Sequence, residues 1–194
     1  MLGMSTSIIG LHSQGFPAVE WSVVIGLCLV AAMQDARWGR IPNWLTGPGV
    51  LTGLVWAAWK AGLTGFAEAA AACAVLMLPF ILLFTFAGGG AGDAKLMAAV
   101  GAWLGLGNGL IALAGVSLMG IVLGLALSAR SKGLRQTVAH VGWLGMGMIL
   151  SATGHGERAR EVRPERRQLQ PMRYGVAIFV GCCLGALGSY LWRG

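Results

Sequence analysis

Asp35, in MQDARWGRIPNWL, and Asp93, in GGGAGDAKLM, are the only aspartates in the chain. The other acids are glutamates: Glu20 and Glu68 at the ends of apolar runs, and Glu157, Glu161 and Glu165 among arginines. Each aspartate lies at the edge of an apolar segment. An ionisable group at a membrane boundary is costly to place. Singly, either could be a solvated helix end or an N-cap, and Asp93 directly precedes the helical run AKLMAAVG. Together, in two glycine- or proline-marked turns on one membrane face, they point to chemistry. Two carboxylates that meet share a proton, because like charges push their proton affinities apart. One then activates water as a base while the other protonates a carbonyl oxygen, and the dyad titrates as a unit. That is the chemistry of an aspartic peptidase.

The elements that must position such a pair are membrane helices. The chain has 194 residues, of which 56% are hydrophobic and 11% charged, and its mean hydropathy is +0.72. Soluble domains carry roughly 25% charged residues. The expected fold is all-α, a single polytopic membrane domain over residues 1–194. A span needs about 20 mainly apolar residues. Candidates run from Phe16 or Val19 to Met33, Trp44 to Trp59, and Phe66 to Phe86. The run Ala94 to Ala129 is too long for one span and is interrupted by GLGNG, residues 105–109. It reads as a helical hairpin turning at Asn108, with a short first arm ending at Leu106. The last span runs from Tyr174 to Trp192, making six. Val138 to Leu150 is shorter and reads as an interfacial or re-entrant segment.

Basic residues set the orientation. Twelve of the fourteen Lys and Arg are Arg37, Arg40, Lys95 and those of the loop 130–173. Cytoplasmic loops carry such an excess, so this loop is placed inside, with no nucleic-acid partner implied. Six spans then put both termini outside the cytoplasm. The N-terminal stretch before Trp21 has no Lys or Arg, so it lacks the basic region of a signal peptide and is expected to be retained. Cys28, Cys73, Cys182 and Cys183 form no C-x-x-C pair and read as packing residues. Spaced glycines such as Gly101/Gly105 and Gly181/Gly185 read as sites of close helix approach.

Gly88 to Gly90 and Gly92 allow tight turns and close approach of a peptide. A phosphate loop is excluded, since Asp93 and Ala94 separate Gly92 from Lys95 and no Ser or Thr follows. Lys95 is two positions from Asp93, so on a helix it faces another way. It reads as a boundary charge or a substrate contact. No metal or cofactor is implied.

The string Gly90-Ala91-Gly92-Asp93, continuing as AKLMAAVGAWLG, resembles the extended G-x-G-D motif of the GxGD membrane aspartic peptidases, and within them the type IV prepilin peptidases. Asp35 followed by Ile41-Pro42-Asn43 is similar to that family's first catalytic aspartate with its trailing I-P-N. PMRYGVAIFVGCCLGAL resembles its last helix. The resemblance implies that Asp35 and Asp93 are the catalytic pair, supported by Gly90, Gly92 and Lys95. Ile41, Pro42 and Asn43 would be a substrate-side or structural motif. It implies cleavage of a basic leader from prepilins or pseudopilins at the cytoplasmic face of the bacterial inner membrane. The family's bifunctional members carry an insertion with paired C-x-x-C motifs, which this chain lacks. It looks more like the short peptidases of Flp (tight-adherence) pili, and N-methylation is not expected. From the residues alone, a small transporter or channel and an inactive pilus-assembly scaffold stay open, as does a preflagellin peptidase within the class.

Overall fold

The computed structural model describes residues 17–87, 90–130 and 174–193, all in helices and their short connections. α1 is Ala18–Trp38, α2 Asn43–Ala87, α3 Ala91–Arg130 and α4 Tyr174–Arg193. All four are long and apolar enough to cross a membrane. The protein is an all-helical membrane protein. Val19, Leu51, Trp59, Ile121 and Leu191 are among many large apolar side chains left exposed. A water-soluble protein rarely shows so continuous an apolar exterior.

Two of the helices are folded back on themselves. α2 leaves helical geometry at Ala61 (φ −136°, ψ 18°) and Gly62 (φ 63°, ψ −146°), and α3 at Gly105 (φ 66°, ψ −172°). Only glycine takes such positive φ values at little cost. The arms are 43–60 and 63–87 in α2, and 91–104 and 106–130 in α3. Their directions follow from which backbones meet. Gly101 lies against the Ala72 backbone and Gly105 beside Glu68, so 91–104 runs antiparallel to 63–87. Gly109 then meets Leu76, so 106–130 has reversed. Gly49 faces Ala99 and Gly53 faces Ala102, so 43–60 runs parallel to 91–104.

The hairpin in Ala94 to Ala129 is therefore present, but it turns at Gly105 rather than at Asn108. Asn108 is inside the second arm. Gly107 and Gly109 are also turn-competent residues, yet both are helical, and Gly109 packs on Leu76 where a side chain would crowd it. Gly105 is thus a turn residue, while Gly101, its partner in the spaced pair, is a packing residue: a Cβ there would lie 2.7 Å from the Ala72 carbonyl oxygen. Gly181 meets Gly115 and Val116, and Gly185 meets Ala112.

Arm 91–104 is the centre of the bundle. Ala94, Leu96, Met97, Val100 and Leu104 are buried in its core cluster with Val24 and Cys28 of α1 and Ile178 and Cys182 of α4. At about 1.5 Å per residue the arm is about 21 Å long, short of the roughly 30 Å hydrocarbon core. A short helix is tolerated there because most of its length, from Leu96 to Ala102, is buried in protein rather than exposed to lipid. α4 packs against α3 and α1. Gly120 meets the Tyr174 ring and Gly115 meets Gly181, so α4 runs antiparallel to 106–130. α3 therefore ends, and α4 begins, at the end of the bundle that carries Asp35 and Asp93. The N-terminal stretch before Pro17, Gly88, Gly89 and most of the basic loop, including Val138 to Leu150, lie outside the described residues.

Candidate active site

Asp35 and Asp93 lie inside helices rather than in the turns beside them. α1 continues past Met33 to Trp38, and Gly39 closes it in a left-handed conformation, its N–H donating to the Asp35 carbonyl at 2.9 Å. Asp35 is thus in the last turn of α1, and its side chain is buried. α3 begins at Ala91, so Asp93 is in its first turn, and the Asp93 N–H donates to the Gly90 carbonyl at 3.2 Å. Gly90 acts as the N-cap residue. Capping does not occupy the Asp93 carboxylate, which accepts no hydrogen bond among the described residues.

The fold brings the two aspartates, far apart in the chain, within electrostatic reach of each other. Neither forms an ion pair among the described residues. Asp35 Oδ2 accepts a hydrogen bond from the backbone N–H of Gly175 at 2.9 Å. The Asp93 carboxylate lies beside Gly90 and within electrostatic reach of the Tyr174 phenol. The site is built by three helix ends: the last turn of α1 and the first turns of α3 and α4.

The other residues singled out by sequence divide into two groups. Gly90 makes room for the carboxylate, since a Cβ there would lie 2.8 Å from Asp93 Oδ2. Gly92, in the helix rather than in a turn, makes room for Ile41, whose Cβ would be 2.9 Å from an added Cβ. The Pro42 carbonyl accepts from the N–H groups of Leu45 and Thr46 and so opens α2. The ammonium of Lys95 donates to Asn43 Oδ1 at 2.8 Å. Ile41, Pro42, Asn43, Gly92 and Lys95 thus form a clasp that ties the α1–α2 connection to the start of α3. The clasp holds together the two segments that carry the aspartates. The Lys95 ammonium is engaged in this clasp, and it forms no ion pair with Asp93. No grouping of three or more His, Cys, Asp or Glu side chains fit for a metal occurs among the described residues.

Sequence reading assigned no role to Tyr174 or Gly175. The PMRYGV segment carried the signal, but a backbone N–H that reaches another helix has no signature in residue type. Residues 22–125 match the model of the type IV leader peptidase family. The chain belongs to the type IV leader peptidase family. The match takes in Asp35, the clasp and Asp93, and stops before α4. No curated protein and no solved structure matches the chain. Membership of this peptidase family makes the protein a membrane protease, and prepilin-type precursors are the substrates the family implies.

Proposed function

We propose that this leader peptidase is a GxGD-type aspartic endopeptidase in which Asp35 and Asp93 form the catalytic dyad. It removes the basic leader from Flp-like prepilins or pseudopilins at the cytoplasmic face of the bacterial inner membrane. The observation that carries this reading is that two carboxylates from different helices lie within electrostatic reach of each other, and neither is in an ion pair among the described residues. Such a pair holds one proton between two groups. The ionised member takes a proton from water, which attacks the scissile carbonyl. The protonated member donates to the carbonyl oxygen. When the tetrahedral intermediate collapses, the base returns its proton to the leaving amine.

Sidedness has independent support. α3 ends and α4 begins at the aspartate end, so the loop 130–173 leaves and rejoins the bundle there. Arg37, Arg40 and Lys95 belong to the same end, and by sequence the connecting loop holds nine more of the fourteen basic residues, an excess that supports a cytoplasmic placement. The breaks at residues 61–62 and 105 divide the 43- and 34-residue apolar stretches of α2 and α3. These breaks support a reading of six crossings with both termini outside. A reporter after Gly194 or near Asn108 should read outside, and a cytoplasmic signal at Asn108 rejects this topology.

The decisive experiment is mass spectrometry of a pilin-like precursor incubated with the wild type and with Asp35→Asn or Asp93→Asn. Wild type should release the leader and each variant should not. Cleavage by either variant removes the dyad.

A further inference from the structure

α4 begins at the dyad, and it lies outside the stretch that matches the family. The second residue of α4 is Gly175. Its N–H is one of the four at a helix N-terminus that have no partner within their own helix. It finds Asp35 Oδ2 instead, at 2.9 Å and in a buried setting. A helix N-terminus favours a negative charge, and a hydrogen bond to an ionised acceptor is stronger than a neutral one. The approach requires the absence of a side chain. A Cβ on residue 175 would lie 2.9 Å from Asp35 Cβ and 3.0 Å from Oδ2.

The contact is held by the packing beneath it. Seven residues along each helix, Cys28 of α1 meets Cys182 of α4, sulfur to sulfur at 3.8 Å. Seven further, the same register sets Trp21 level with Ser189, and both are fully buried. Seven residues are two helical turns, so these layers share one face of each helix. Asp93, by contrast, has no such donor among the described residues.

We propose that Gly175 is a positioning residue of the dyad: its N–H fixes one oxygen of Asp35 as the water-activating base, leaving Asp93 as the proton donor. This rests on the dyad reading above. Gly175 acts through Asp35 and does not touch the substrate, so its loss should be felt in turnover and not in binding.

The test uses the full chain in detergent or nanodiscs with a purified pilin-like precursor bearing a basic leader. Gly175→Ala should lower kcat about 10- to 100-fold with KM essentially unchanged. Gly188→Ala, on the same helix but facing open space, should leave both constants at wild-type values. Oxidative cross-linking of Cys28 to Cys182, in a background with Cys73 and Cys183 replaced by Ser, reports whether α1 and α4 still pack. Where Gly175→Ala loses that cross-link, an amide-to-ester replacement at the residue 175 nitrogen, made by cell-free translation, deletes the donor without adding bulk. It should lower kcat with KM unchanged. Wild-type kcat in the ester variant, or in a cross-linkable Gly175→Ala, overturns the proposal. So does a loss expressed in KM alone. If Asp35→Asn and Asp93→Asn are inactive while Gly175 variants are normal, the dyad stands and this inference falls. If the aspartate variants cleave, both fall.

Discussion

Glu20 and Asp35 stand at opposite ends of α1, and each is 7% exposed. Their surroundings differ. Glu20 Oε1 accepts from the Lys60 ammonium at 2.6 Å and from the Trp56 indole N–H at 3.2 Å. Trp56 in turn stacks on Trp103. That acid has a cation, a second donor and an aromatic floor, so it needs nothing more from a substrate. Among the described residues Asp35 has one donor, a backbone N–H, and the charge within its electrostatic reach is another carboxylate. Burial alone does not separate structure from chemistry here. The sign of the neighbouring charge does, and it gives one end of the bundle to stability and the other to the proposed reaction.

The strongest attack on this contrast is to neutralise each acid. Asp35→Asn and Asp93→Asn should each lower leader cleavage about 1000-fold or more, while the protein still accumulates in the membrane. Glu20→Gln should cleave at the wild-type rate. A Glu20→Gln enzyme as inactive as the aspartate variants would erase the distinction. Lengthening the side chains sharpens it further. Asp35 is buried against Gly175, so Asp35→Glu should be as inactive as Asp35→Asn. Asp93 is only half-buried and lies beside side-chain-free Gly90. Asp93→Glu should therefore keep a measurable rate, about 100-fold below wild type. Equal rates for the two glutamate variants would show that the aspartates are held alike.

At the other end the effects should be smaller and confined to stability. Gly105→Ala forces a side chain into the left-handed region, where a Cβ would also lie 3.2 Å from Glu68 Oε1. It should lower stability by roughly 1–2 kcal/mol, read from thermal unfolding in detergent, with kcat of the folded fraction intact. Lys60→Met removes the partly exposed cation of the Glu20 pair and should cost about 1 kcal/mol, again with normal kcat. A large kcat effect from either substitution would mean that the two ends are coupled through arm 91–104.

Residue type and spacing made the aspartates visible because acids are rare in so apolar a chain. Hydropathy likewise exposed each helical segment later found among the described residues. Details decided by packing were hidden. GLGNG offers several residues able to turn, and the approach of Leu76 to Gly109 and of Glu68 to Gly105 selects one. The helices at Asp35 and Asp93 overran their expected limits because Gly39 and Gly90, not hydropathy, mark their ends. Lys95 and Asn43 are 52 residues apart, and only the parallel course of 43–60 and 91–104 joins them. Gly175 was hardest to foresee, since its contribution is a main-chain N–H that every residue except proline possesses.

The seven-residue layering between α1 and α4 has a consequence for how this protein can change. One residue added between Gly175 and Cys182 would turn the start of α4 by about 100° relative to the layers below. The donor would swing away from Asp35 even though no contact residue had been replaced. Beyond the first turn of α4 the register is set by these layers and not by the length of the chain that joins α3 to α4. Insertions and deletions should therefore be far better tolerated in that connection than within the helix it feeds. Between Gly175 and Cys182, α4 can exchange one side chain for another more readily than it can change length.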